Sequence, residues 1–208
     1  MTHNAVRGTV VLMNERDHVE GLCDRYTDDL GEIFTEAVRK FYAIHASDLL
    51  DVSPVSKASL INDYIYAGLR TRFQGVDGFE FLQRGNWRFV GYNSAILIRI
   101  KKISRKTRRP SVNKTSASLR FNTQQDMDLL NDRATNVYLG YFLTRTGGDL
   151  EVITFLCPDE QGNIAWRIDP VERKNQKLLD FPIEAPQPKK RRIFAKSSEA
   201  MPPAAVAT

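Results

Sequence analysis

Between Gly75 and Gly78 the spacing of apolar residues changes, and that change confines the chain to an α+β fold. Upstream, Leu30, Ile33, Phe34, Ala37, Val38, Phe41 and Tyr42 recur three and four residues apart, the spacing of one buried helix face. Leu60, Ile61, Tyr64, Ile65 and Leu69 repeat it. Downstream, Phe79, Phe81, Trp87 and Phe89 alternate with polar residues, as half-buried strands require. The expected architecture is an N-terminal helical hairpin packed on a mostly antiparallel sheet of about five strands, with one inserted helix.

Local signals place the elements. Thr27 can cap the first helix, with Asp28 and Asp29 at its positive end, and residues up to Met13 then form an edge strand (GTVVLM) or an arm. Ser53 followed by Pro54 is a capping residue with proline at the first helical position. Ser94 to Ile103 reads as a central strand, and Arg105 to Ser118, with Pro110 and little to bury, as a long loop. Asn122 and Thr123 then cap a short helix over TQQDMDLLND. Val137 to Thr144, Leu150 to Cys157 and Asn163 to Ile168 form a meander, the last strand with Ile164, Trp166 and Ile168 on one side. The regions expected are 1–78, helical; 79–170, sheet with a basic loop; and 171–208, a flexible basic, Pro/Ala-rich tail.

Charge is distributed unevenly. The net charge is +5, yet residues 79–122 alone carry +10, with eleven Lys and Arg against Glu80. Residues 1–60 and 123–185 are net acidic. Seven cations fall within the fourteen positions from Lys101 to Lys114: Lys101, Lys102, Arg105, Lys106, Arg108, Arg109 and Lys114. Such crowding is self-repulsive, and phosphate groups relieve it. With Arg99, these residues form the expected nucleic-acid-binding surface; an acidic protein is the other partner that chemistry admits. Lys189, Lys190, Arg191 and Arg192 make a secondary basic patch, which in a eukaryotic source would read as a nuclear import signal.

Other chemistries find little support. Cys23 and Cys157 stand 134 positions apart and suggest a reducing, cytoplasmic setting without a disulfide framework. No apolar run approaches the ~18 residues needed to span a bilayer, and the N-terminus lacks a signal-peptide pattern. His18, Cys23, His45 and Cys157 have no zinc spacing. No Gly-rich phosphate loop occurs, so neither cofactor nor metal is expected. Asp149, Glu151, Asp159 and Glu160 sit in or beside turns. Trp87 and Trp166 read as core residues. If the basic surface did chemistry, it would be metal-independent RNA cleavage, with Arg84, Arg88, Tyr92, Arg99 and Lys101 as the electrostatic and acid–base groups.

Two resemblances bear on function. Arg39 and His45 have the R-x5-H spacing of the ribonuclease motif in the HEPN helical family. Positions six apart lie about 240° apart on a helical wheel, and that family is all-helical, so a surface arginine and an ordinary histidine are the simpler assignment. The stretch from Phe79 to Ile168 resembles small accessory proteins of bacterial toxin–antitoxin and phage-defence loci, through RIKK, the Ser/Thr-rich basic loop, FNTQQD and YLGYFL…TFLCPDEQGNIAW. That resemblance implies a cytoplasmic component of such a module, a nucleic-acid binder or an antitoxin-like interaction subunit; it carries no catalytic signature.

Overall fold

The computed structural model describes residues 3–44, 52–111, 115–130, 134–146 and 148–172, and within the first helix the side chains of 15–43. Two helices, α1 (His3–Ile44) and α2 (Pro54–Phe73), precede a six-stranded sheet in sequence order: β1 (Phe79–Arg84), β2 (Trp87–Tyr92), β3 (Ile96–Lys102), β4 (Thr135–Leu143), β5 (Leu150–Pro158) and β6 (Ile164–Ile168). All neighbours pair antiparallel except β3 and β4, which run parallel from Ile96↔Thr135 to Lys102↔Tyr141. A parallel pair requires a crossover, and the basic loop and a short helix α3 (Ser116–Asn122) lie within it. The fold is α+β, with six strands rather than about five.

The expected edge strand before Met13 does not form, because α1 already starts at His3. Val19, Leu22 and Cys23 are buried and continue the helical stripe N-terminally from Leu30. Thr27 is therefore not a cap: its hydroxyl donates to the Cys23 carbonyl at 2.5 Å, and Tyr26 beside it leaves helical geometry (φ −124°, ψ 15°). Back-bonding of this kind bends helices, and the apparent start was a kink. Ser53 does cap α2, accepting from the Ser56 amide at 3.1 Å.

The sheet carries two apolar faces. On one, Leu22, Phe34, Phe41, Ile61, Ile65 and Leu69 of the helices join Val90, Ile98, Leu139 and Phe155 in a single core. On the other, Phe89, Leu97, Tyr138, Phe142 and Leu156 are covered by Phe121 of α3 and by Met127, Leu129 and Leu130 after it. The β5–β6 register shifts between Cys157 and Pro158. Trp166 and Ile168 consequently join the helix-side core while Ile164 packs on the opposite face, and the three do not share a side.

The inserted helix lies upstream of TQQDMDLLND. Thr115 caps it, accepting from the Ser118 amide at 3.3 Å, and Asn122 and Thr123 close it instead of opening it. What fixes α3 to the sheet is Gln124, buried and held at φ 56°. Its amide nitrogen donates to the carbonyls of Asn136 (2.8 Å) and Pro158 (2.7 Å), and its oxygen accepts from the Asn136 amide at 2.8 Å. Gln124→Ala strands these buried groups and is expected to destabilise the fold by about 2–4 kcal/mol, measurable by urea denaturation. An unchanged midpoint would mean that α3 is held by its apolar contacts alone.

Candidate nucleic-acid interface

Alternation along β3 sends Ile96, Ile98 and Ile100 to the helix side and Leu97, Arg99, Lys101 and Ile103 to the opposite face. Two cations thus enter a surface otherwise built of aromatic and aliphatic groups. The Arg99 guanidinium lies 3.5 Å from the centre of the Trp87 ring and 6.0 Å from that of Phe121. Its Nη1 is buried without a hydrogen-bond partner. Burial lowers the Arg99 pKa below the usual arginine value, and the nearby Tyr138 phenol opposes that shift. Tyr138 itself is pushed up to about 12 by burial, with Arg99 pulling the other way. Lys101 is lowered to about 8, first by burial and then by repulsion from Arg99. Neither cation has a carboxylate partner among the described residues.

Of the long loop expected from Arg105 to Ser118, the part from Arg105 to Pro110 is a compact turn. Ile103 and Pro110 bridge, the Ser104 amide donates to the Arg109 carbonyl (3.0 Å), and the Arg108 amide donates to the Ser104 carbonyl (2.8 Å). The compact turn is seated on β4 by the Ile103 amide, 2.8 Å from the Tyr141 carbonyl. Gly140 makes that close approach possible: a Cβ there would lie 2.8 Å from Cγ2 of Ile103.

The turn sorts its cations. Arg105 folds back, donating to the Leu143 carbonyl at 3.1 Å and pairing with Glu151 at 2.6 and 3.1 Å, with Phe142 beneath. Arg108, at φ 53°, lies over the same Phe142 ring at 4.5 Å. Both hold the turn against the sheet. Lys102, Lys106 and Arg109 are exposed and have no ion pair among the described residues. Arg105→Glu is accordingly expected to destabilise by about 1–2 kcal/mol, through the lost carbonyl bond and a carboxylate placed beside Glu151. Thermal melts check this; an unaltered Tm would show that the pair adds nothing. Lys114, the patch Lys189, Lys190, Arg191 and Arg192, and His45 lie outside the described residues.

The five residues considered for cleavage do not converge. Arg88 pairs with Asp63 at 2.8 Å, over Tyr66 of α2, and Tyr92 is buried in the helix-side core. Arg84, Arg99 and Lys101 are on the far face, where Arg84 is bonded to the Met127 carbonyl and Asp128. Arg39 is tied to Glu36. Of the two tryptophans, Trp166 is a core residue, whereas Trp87 is half-buried and stacks on Arg99, a role its alternation with Phe89 did not announce. Among the described residues no helix is long and apolar enough to cross a membrane. Comparison with protein-family models, with curated proteins and with solved structures gave no match.

Proposed function

We propose that the protein binds nucleic acid through the end of β3 and the turn that follows, without cutting it. The observation that carries this is a set of five cations without an anionic partner among the described residues: Arg99, Lys101, Lys102, Lys106 and Arg109. Their repulsion burdens the folded state, and phosphate neutralisation with counterion release relieves it. Arg99, Lys101 and Lys102 are fixed on β3, and the turn that carries Lys106 and Arg109 is held by its own backbone bonds and by Arg105, so little ordering entropy is lost on binding. Its place in a bacterial defence or toxin–antitoxin-type module rests on the sequence resemblance of Phe79 to Ile168.

Incubation of the purified chain with labelled RNA and DNA, with and without EDTA, tests this. The expected result is a retarded, intact substrate under both conditions. Cleavage that survives EDTA would replace this function with a metal-independent ribonuclease on the same surface. No retardation at low salt would leave an acidic protein as the partner.

A further inference from the structure

We infer that Arg99 and Lys101 form a recessed site for a phosphomonoester, carried either on the end of a phosphorylated strand or on a free nucleotide. This rests on the reading of the neighbouring turn as a nucleic-acid contact. The two residues stand two positions apart on one face of β3, about 6–7 Å along the strand. That separation lets a guanidinium and an ammonium reach different oxygens of one tetrahedral anion. Both are only partly exposed, whereas Lys102, Lys106 and Arg109, which follow them in the chain, are exposed.

The surroundings favour a strand end over a strand middle. Trp87 and Phe121 flank Arg99, and Phe142, with Arg105 and Arg108 over its ring, lies on the side of the basic turn. A phosphodiester brings only one charge to two cations and carries a bulky sugar on each side. A monoester enters end-on, with a charge of about −2 at neutral pH. Two unpaired cations beside a dianion balance to zero. Trp87 stacks on the Arg99 guanidinium, whose Nη1 is buried without a hydrogen-bond partner; a stacked, carboxylate-free guanidinium is the kind of group that takes a phosphate oxygen.

The test is a competition assay on the full chain, displacing a labelled hydroxyl-ended oligonucleotide. Competitors are the same strand with a 5′-phosphate, with a 3′-phosphate, and with no phosphate, together with a nucleoside 5′-monophosphate and inorganic phosphate. A phosphorylated end is expected to compete about tenfold or more better than the hydroxyl end. Lys101→Met and, separately, Arg99→Met are expected to reduce that preference to within about twofold while the exposed cations keep the strand bound. Equal competition by phosphorylated and hydroxyl ends overturns the inference and leaves nucleic-acid binding standing. Lys101-dependent binding of the monophosphate without any strand binding supports the site in its free-nucleotide form and removes the nucleic-acid reading. Binding of neither overturns both. Because Lys101 is partly exposed and makes no side-chain hydrogen bond or ion pair among the described residues, Lys101→Met keeps the test decisive even if Arg99→Met fails to fold.

Discussion

Lys101→Met is expected to raise the melting temperature at pH 7 by roughly 3–6 °C and to weaken binding of a phosphate-ended strand about tenfold. The lysine has no carboxylate partner among the described residues, and burial together with Arg99 lowers its pKa from 10.5 to about 8. The unfolded chain therefore holds this proton more tightly than the folded one. Stability is lowest below pH 8 and rises as the pH climbs from 8 towards 10.5. The full shift corresponds to about 3 kcal/mol; partial exposure and solvent screening reduce it to about 1–2 kcal/mol. Methionine keeps the length and removes the charge, so the variant gains at pH 7 and loses that advantage near pH 10. The other titratable and charged groups on this face are Arg99, Tyr138, Arg84 and Arg120 with their shared partner Asp128, Arg105 with its partner Glu151, and Arg108. A lower Tm for the variant at pH 7 would mean that Lys101 already has an anionic partner within the chain. A gain in stability accompanied by a loss of binding is what a functional cation produces.

The second large effect is expected from Lys102→Glu, Lys106→Glu and Arg109→Glu combined. Three phosphate contacts are replaced by repulsions, so affinity should fall about 100-fold or more. The Tm should stay within about 2 °C, because exposed charges away from structural contacts carry little stability. These three are the right positions to reverse. A reversal that includes Arg105 and Arg108 would also break the contacts to Glu151, Leu143 and Phe142 that seat the turn, and would confuse unfolding with lost binding. Unimpaired binding by the triple variant would move the contact surface elsewhere on the molecule.

Much of this architecture is legible in the chain, for physical reasons that also set the limits. Ser53-Pro54, the switch of period at Gly78 and the closing meander are local signals, and each produces the element expected. Thr27 misled because a hydroxyl that can cap an amide can equally bond the Cys23 carbonyl inside a continuing helix. The parallel β3–β4 pair could not be read, since side-chain alternation records which face a residue takes but not the direction of its neighbour. Two turns' worth of sequence, Thr115 to Asn122, is too short and too polar for periodicity to identify as a helix. The site divides in the same way. Charge density marked the right segment, but which cations remain available depends on Glu151, 46 residues from Arg105, and on Trp87 folding over Arg99. Tertiary partners of that kind leave no trace in local spacing.

The dependence of affinity on salt tests the central claim most directly. If five cations without a carboxylate partner among the described residues meet the phosphates of a phosphate-ended strand, log K for wild-type protein between about 50 and 200 mM salt falls with log salt at a slope of roughly −4.5 on duplex or −3.5 on single strands. The triple variant should lose about 2–3 of that slope. A slope near zero, or no binding at the lowest salt, would show that these charges do not wait for phosphate.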